Sequence, residues 1–310
     1  HRCIFVLNEL PDLQARIQVS LFSILEEKEI QIRGFKVRLP LDIQFIFTSN
    51  PEDYTNRGTI VTPLKDRIGS QILTHYPESI EIAKKITEQE SKLDSKVISK
   101  IHIPEIARDI IEQISFEARE SDLVDKKSGV SARMSITSLQ NLVSSAERRM
   151  IINNEKKTSI RMSDFNSVIS SINGKVELVY EGEEEGAEQV SYNLISDAVK
   201  SLFNKYFPKI EKLSKPGEET PYDSLLEWFT QKQLVIGDSL NDNEYEKLLL
   251  EIIDARTIID KYVKDLDEND RFFFIEFILW GLESFNKLSI LRTNNGIEFK
   301  DPFNNFINKI

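Results

Sequence analysis

Two short apolar runs near the start of the chain each stop abruptly at polar residues. Residues 3–7 read CIFVL and are followed by Asn8 and Glu9, and residues 43–47 read IQFIF in a run that ends at Asn50. Runs rich in β-branched and aromatic residues are typical of strands buried on both faces of a parallel sheet. The carboxyl ends of such strands form the ligand side of open α/β sheets, so the polar ends indicate a site. Polar residues also follow ordinary strands where the chain returns to water, and the pattern alone leaves both interpretations open.

Between the two runs the pattern predicts a helix and then a hairpin. Apolar residues recur every fourth position from Leu13 to Leu25, and Asp12 lies near the positive end of the predicted helix. Residues 29–41 then alternate apolar and polar around Gly34, which predicts a β-hairpin. Its arms carry three basic residues, Arg33, Lys36 and Arg38. These cations are candidates for contact with an acidic partner, although hairpin charges are usually only solvated.

After a third strand predicted at 70–77, the apolar spacing becomes helical. Helices are predicted near 79–95, 103–119, 131–150, 163–172, 191–206, 221–232, 243–264 and 269–289. Ser131 and Ser163 are the expected N-caps of two of them. The acidic, glycine-containing residues 180–189 predict an exposed linker or loop. Residues 271–285 are apolar almost all round, which predicts the central helix of a C-terminal helical core.

Composition narrows the class of protein. The chain has 310 residues, of which 40% are hydrophobic and 29% charged, enough for about two domains. A net charge of −11 argues against broad nucleic-acid binding. The single cysteine, Cys3, excludes an internal disulfide framework and fits a reducing compartment, so we expect a cytoplasmic protein. The three histidines lack ligand spacing, and no run is long and apolar enough for a membrane.

Four segments, taken in chain order, resemble the motifs of one enzyme family. CIFVLNELPDL resembles a Walker B strand, FIFTSNPEDY a sensor-1 strand, TPLKDRIG an arginine-finger segment and GVSARMSI the start of a sensor-2 helix. Their order and spacing are similar to those of AAA+ ATPases of the MoxR and magnesium-chelatase ATPase-subunit group, in which a hairpin precedes sensor 1. The resemblance covers residues 1 to about 175.

The resemblance implies an α/β fold, a partial AAA+ core with a parallel sheet, followed by a helical lid and an all-α C-terminal domain. The core would occupy residues 1–77 and the lid residues 78–175. An acidic linker at 176–190 would lead to the helical domain at 191–310. The phosphate-binding motif G-x-x-x-x-G-K-[ST] is absent from the 310 residues. We therefore expect the chain to be a fragment whose P-loop precedes His1, and to bind nucleotide poorly alone.

The resemblance also implies roles for single residues. Glu9 matches the catalytic glutamate that activates the attacking water, and Asn50 matches sensor 1. Arg67 matches the arginine finger that reaches the nucleotide of a neighbouring subunit. Each has an ordinary alternative: a solvent-facing or helix-start glutamate for Glu9, an Asn-Pro turn for Asn50, and an ion pair with Asp66 or another carboxylate for Arg67.

Arg133 matches sensor 2, and its position has a physical argument of its own. It is expected in the first turn of a helix, where a cation meets the positive end of the helix dipole. A residue placed against this preference can serve a bound anion, here the γ-phosphate of ATP. The alternative is an exposed arginine with little consequence.

Asn8 departs from the family pattern. The family has an aspartate there to hold the water shell of Mg²⁺, and an asparagine supplies an oxygen without a charge. Asn8 would contact Mg²⁺ through water at best. The asparagine therefore bears on the magnesium affinity and, through it, on the turnover.

Together these observations predict hydrolysis of ATP with Mg²⁺, coupled to remodelling or activation of a partner protein in a hexameric ring. The alternative is a non-hydrolysing AAA+-shaped scaffold that recruits partners through its helical C-terminal region. Asn8 favours the scaffold, and the four retained motif residues favour the ATPase. A sigma-54 activator lacks support because its GAFTGA loop is absent, and the acidic balance gives little support to a helicase.

Overall fold

The fold is known from a computed structural model and falls into two compact units, His1–His75 and Tyr76–Ile310. The described residues are 2–38, 42–50, 59–210, 220–293 and 296–302. His1–His75 is the first unit, and Tyr76–Ile310 is the second. Helices and both parallel and antiparallel strands occur, so the α/β class is confirmed at this coarse level.

The first unit is built around two parallel strands. Its elements are β1 (Cys3–Leu7), α1 (Ala15–Phe22), β2 (Glu29–Ile32), β3 (Phe35–Arg38), β4 (Ile43–Phe47) and α2 (Thr62–Lys65). β1 and β4 pair in parallel, from Cys3 opposite Ile43 to Leu7 opposite Phe47. β2 and β3 form the predicted antiparallel hairpin. A π-helical turn, Ser23–Glu27, continues α1. The two strands, the helix between them and the hairpin are therefore confirmed.

The burial of β1 and the third strand differ from expectation. Ile4 and Val6 are 66% and 51% exposed, so β1 is not buried on both faces. Its sheet contains two strands in the described part of the chain, so β1 is an edge strand there. The predicted strand at 70–77 was wrong, because these residues form no strand and Ile72 and Leu73 are exposed. A β pattern gives a strand only where another strand accepts its hydrogen bonds.

The second unit is mainly helical. Its helices are α3 (Ile80–Glu90), α4 (Ser95–Ile98), α5 (Glu105–Glu120), α6 (Arg133–Ile152), α7 (Ile169–Asn173), α8 (Tyr180–Glu185), α9 (Ala187–Tyr206), α10 (Asp223–Gln231), α11 (Asp242–Leu250), α12 (Ile253–Tyr262) and α13 (Arg271–Ser284). Its strands are β5 (Ile101–His102), β6 (Thr158–Ser159), β7 (Leu234–Gly237), β8 (Ser289–Thr293) and β9 (Gly296–Lys300). A 3₁₀ segment, Met162–Val168, precedes α7.

The core of the second unit lies around α9, which packs against both α5 and α13. α13 is buried along nearly its whole length, as its apolar sequence predicts. Phe203 of α9 lies among aromatic rings, with its ring centroid 6.0 Å from that of Phe277. One hydrophobic core therefore joins the helices predicted as a lid to those predicted as a separate C-terminal domain.

The all-α prediction for residues 191–310 was wrong. β7, β9 and β8 form an antiparallel sheet in that order. Residues 297–300 of β9 read IEFK and alternate between apolar and polar positions. Gly296 allows the close approach of β9 to β7, since its φ is 150° and a Cβ there would lie 2.1 Å from the carbonyl oxygen of Ile236. The lid residues also contain a short parallel pair, β5 with β6.

The predicted acidic linker is helical. Residues 180–185 form α8 and α9 begins at Ala187, so the polar composition reflects exposed helix faces. The two predicted N-caps, Ser131 and Ser163, have different outcomes. Ser131 Oγ accepts the backbone N–H of Arg133, close to its expected role. Ser163 lies inside the 3₁₀ segment, and the carboxylate of Asp164 caps that segment by accepting the N–H of Arg161.

Candidate functional site

Asn8 and Glu9 are tied to the end of the neighbouring strand by one hydroxyl group. The backbone N–H of Glu9 donates to Thr48 Oγ1 over 3.1 Å, and Thr48 Oγ1 donates to Asn8 Oδ1 over 3.3 Å. The backbones are joined as well, because Leu10 N–H donates to the Thr48 carbonyl over 2.9 Å. β1 and β4 thus bring their polar ends to the same edge of the sheet.

The side chains at this edge face solvent. Asn8, Glu9 and Asn50 are all exposed, and Asn50 follows Thr48 by two residues. Glu9 adopts the left-handed conformation, with φ 53° and ψ 52°, which is uncommon for a residue with a side chain. The edge therefore presents one carboxylate and two carboxamides to an incoming ligand. Pro51, which would form the alternative Asn-Pro turn, lies outside the described residues.

A buried glutamine holds the segment that leads to Arg67. Gln18 of α1 is 1% exposed. Its Nε2 donates to the carbonyls of Leu13 and Thr59, over 2.9 and 3.2 Å, and its Oε1 accepts the N–H of Val61 over 2.9 Å. These three hydrogen bonds satisfy the buried amide of Gln18, and two of them hold residues 59–61 just before α2.

Arg67 is engaged within its own unit. Its Nε lies 2.5 Å from Glu26 Oε2, its Nη1 donates to the Pro63 carbonyl over 2.8 Å, and its guanidinium lies 5.4 Å from the ring centroid of Phe22. The ion pair expected as the ordinary alternative is thus present, with Glu26 as the partner in place of Asp66. Glu26 is more exposed than Arg67, so this pair is accessible to competing groups.

Arg133 lies in the second unit, as the first residue of α6, and is exposed. No carboxylate of the described residues lies within ion-pair distance of it. The expected placement of a cation at a helix start is therefore present. Its role toward a nucleotide stays a prediction.

The loop before Arg133 is fixed by a tyrosine that the sequence did not single out. Tyr76 Oη accepts the N–H of Val130 over 3.0 Å. The guanidinium of Arg119 lies 4.1 Å from the Tyr76 ring centroid, and burial lowers the pKa of Arg119. The buried Nε and Nη1 of Arg119 have no hydrogen-bond partner in the described part of the chain, so the aromatic ring is their main neighbour. The hydrogen bond from Val130 to Tyr76 thus ties down the loop before α6.

Gly129→Ala should destabilise this loop. Gly129 has φ 69°, and a Cβ there would lie 2.4 Å from Tyr76 Oη. We expect a loss of about 1–3 kcal/mol in the free energy of unfolding, from strain and from the displaced tyrosine. Urea denaturation of the variant measures it. Gly34→Ala is the matched control for strain alone, since Gly34 also has positive φ but nothing within 4 Å of the added Cβ. Equal losses in both variants would show that the Tyr76 contact contributes nothing.

Two of the three hairpin cations are already paired inside the hairpin. Arg38 Nε lies 2.9 Å and Lys36 Nζ 3.8 Å from the carboxylate of Glu29. Phe35 and Ile32, in contrast, are 76% and 56% exposed. The hairpin surface is therefore more apolar and less cationic than its sequence indicates.

Comparisons with known proteins identify no family. No family model matches the chain, and no curated protein matches it. Among solved structures, one that is similar is the crystal structure of a "putative ATPase" from Cytophaga hutchinsonii, at 20% identity and a TM-score of 0.25. The match covers 62% of this chain and 64% of that chain, less than two thirds of its length. A TM-score this low does not establish a shared fold.

The described residues contain neither a metal cluster nor a membrane-spanning helix. No group of three or more His, Cys, Asp or Glu side chains there is arranged to hold a metal ion. Nor does any helix in the described ranges combine the length and the hydropathy needed to cross a bilayer.

Proposed function

We propose that this chain belongs to an AAA+ ATPase of the MoxR and magnesium-chelatase type, which hydrolyses ATP to remodel a partner protein. The observation that carries the proposal is the Thr48 bridge, because it holds Asn8 and Glu9 at the carboxyl edge of two parallel strands. Open α/β sheets bind their ligands at that edge. Asn50, at the end of the same strand as Thr48, belongs to this site.

In the proposed reaction Glu9 accepts a proton from the attacking water, and the amide of Asn50 orients that water or the γ-phosphate. Removing the proton makes the water a better nucleophile, and the amide fixes its direction of attack. Mg²⁺, when bound, would neutralise charge on the phosphates. The exposed oxygens of Asn8 and Glu9 are of the type that Mg²⁺ prefers, and Asn8 would hold it through water.

Arg67 and Arg133 would supply the cations that stabilise the charge of the transition state. As an arginine finger, Arg67 would act on the nucleotide of the next protomer and would have to leave Glu26 to do so. We therefore propose a homo-oligomeric ring that is active only when assembled, working in the cytoplasm on a client protein. Nucleic acid and membranes are not proposed as partners.

A second candidate is a non-hydrolysing scaffold with the same architecture. The Arg67–Glu26 pair favours it, because the guanidinium is already neutralised within its own unit. Asn8 favours it too, since an amide binds Mg²⁺ more weakly than a carboxylate. The exposed Glu9 and Arg133, which no ion pair of the described residues occupies, favour the ATPase.

The experiment is Mg²⁺-dependent ATP turnover, with and without Asn8→Asp. The proposed reaction requires a phosphate-binding loop, and the motif G-x-x-x-x-G-K-[ST] does not occur in these 310 residues. The assay therefore uses a longer polypeptide that includes such a loop, with the 310-residue chain as the inactive control. We expect the turnover per protomer to rise with protein concentration, because the ring assembles. We expect Asn8→Asp to raise the magnesium affinity. If neither the longer polypeptide nor its Asn8→Asp variant hydrolyses ATP at concentrations where it assembles, the scaffold replaces the ATPase as the proposed function.

A further inference from the structure

A cavity of about 510 Å³ lies in the second unit. One wall consists of residues 98–102 and 157–161, which include β5 and β6. The other wall consists of residues of α11 together with residues 268, 269, 272 and 273, around the start of α13. This volume is within the range of small-molecule sites, about 300–1,000 Å³. None of the residues proposed for ATP hydrolysis lines the cavity.

The walls of the cavity are held by polar contacts between partly buried side chains, so the cavity is preformed. Arg161, whose side chain is 3% exposed, donates to the Leu240 carbonyl over 2.9 Å and to Asp242 Oδ1 over 2.7 Å. Its guanidinium also lies 4.0 Å from the ring centroid of Tyr245. At another part of the wall, His102 Nε2 lies 2.5 Å from Asp270 Oδ1. These contacts fix side chains from both walls before any ligand arrives.

Some of the charged side chains that line the cavity form ion pairs, and others do not. Arg161 is paired with Asp242, Glu268 with Arg271 and His102 with Asp270. Three lining charges have no ion pair within 4.0 Å among the described residues, and they are Lys100, Lys157 and Glu246. The cavity therefore presents two free cations against one free carboxylate.

The two lysines are neighbours in space. β5 and β6 are parallel, with Ile101 opposite Thr158, and the N–H of Thr158 donates to the carbonyl of Lys100 over 3.0 Å. Lys100 and Lys157 therefore precede equivalent positions of adjacent strands, and both line the cavity. Like charges on adjacent strands repel one another unless an anion lies between them.

We propose that this cavity binds a small phosphomonoester, with its phosphate between Lys100 and Lys157. A phosphomonoester carries close to two negative charges at neutral pH and so matches two ammonium groups, whereas a carboxylate matches one. The organic part would lie against the apolar lining, which includes Ile98, Ile160 and Phe272. Glu246, on α11, opposes the phosphate and limits the affinity. Burial and the neighbouring Asp242 raise the pKa of Glu246.

The test is calorimetric titration of the 310-residue chain with phenyl phosphate, a dianion with a small apolar group. Benzenesulfonate, a monoanion of similar shape, is the ligand control. We expect phenyl phosphate to bind and benzenesulfonate to bind at least about tenfold more weakly. Lys100→Ala with Lys157→Ala should lower the phenyl phosphate affinity by about tenfold for each lysine removed. Glu246→Gln should raise it several-fold, because it removes a repelling charge.

Lys156→Ala is the matched protein control, since Lys156 is exposed and adjacent in sequence but does not line the cavity. Unchanged circular dichroism shows that the lysine variants remain folded, as expected for exposed positions. The proposal is overturned if phenyl phosphate does not bind, if benzenesulfonate binds equally well, or if the double lysine variant binds like the Lys156→Ala protein. Tighter binding of a phosphoserine peptide than of phenyl phosphate would replace the small molecule with a protein-borne phosphate. None of these outcomes depends on ATP hydrolysis.

Discussion

Glu9→Gln is expected to lower the ATP turnover of the longer polypeptide by about 10²–10⁴-fold, the range for loss of a general base. Glutamine has the shape of glutamate but cannot accept the proton of the attacking water. The backbone N–H of residue 9 would still donate to Thr48, so the edge of the sheet keeps its geometry. Because Glu9 is exposed, we expect the free energy of unfolding to change by no more than about 0.5 kcal/mol.

This prediction separates the chemical step from nucleotide binding. We expect the Glu9→Gln protein to bind ATP as tightly as the original protein while turnover is lost, measured by equilibrium binding and by phosphate release. Glu27→Gln, at another exposed glutamate of the first unit, is the matched control and should keep full turnover. If both variants keep full turnover, Glu9 is the solvent-facing glutamate of the alternative interpretation.

Glu276→Gln is expected to remove a large pH dependence of stability. Glu276 lies in the middle of α13 and is fully buried. Tyr245 Oη donates to its Oε2 over 2.7 Å and Met162 N–H over 3.1 Å, and Oε1 has no partner within the described ranges. Burial, with a smaller contribution from the charge of Asp164, raises the pKa of Glu276 to about 7.

The direction of the effect follows from proton binding. Between about pH 4.5 and 7 the folded chain keeps the Glu276 proton while the unfolded chain has released it, so stability falls as the pH rises through this range. The loss from this one group amounts to about 3 kcal/mol by pH 8. A glutamine has no proton to lose, so the variant should be more stable than the original at pH 8 and similar at pH 4.5.

Urea denaturation between pH 4.5 and 8 measures this difference. Other groups titrate in the same range, so the informative quantity is the difference between the two stability curves. The exposed Glu227 offers the control, because Glu227→Gln should give a curve parallel to that of the original protein. A Glu276→Gln curve that is also parallel would mean that the buried carboxyl does not carry the proton.

The sequence predicted local structure well where local chemistry determines it. β1 and β4 followed from their β-branched and aromatic residues, and the hairpin followed from alternation around Gly34. Most of the helices followed from apolar spacing. Residues 70–77 carry a similar pattern and form no strand, because a strand also depends on a distant hydrogen-bonding partner. β8 and β9 were missed because the last predicted helix ended at 289 and the residues after it were assigned to an all-α domain without strands.

The sequence singled out residues of the candidate site, but it did not predict the contacts that join them. Asn8 and Glu9 stand out as polar ends of an apolar run, but the bridging hydroxyl of Thr48 depends on the register of two strands about 40 residues apart. Gln18 lies in a helix pattern that offers no sign of its burial, because the carbonyl and N–H that it satisfies belong to residues 59–61. Such pairings arise from the fold, and a single sequence carries no direct signal for them.

In the proposed ATPase, the left-handed backbone of Glu9 would lower the stability of the fold at a residue that the activity needs. Holding a residue with a side chain in that conformation costs about 1 kcal/mol, which glycine would not incur. Selection for heat resistance alone would therefore favour glycine at position 9. A carboxylate kept there for turnover, as the proposed ATPase requires, would have to be offset by stability gained elsewhere in the chain.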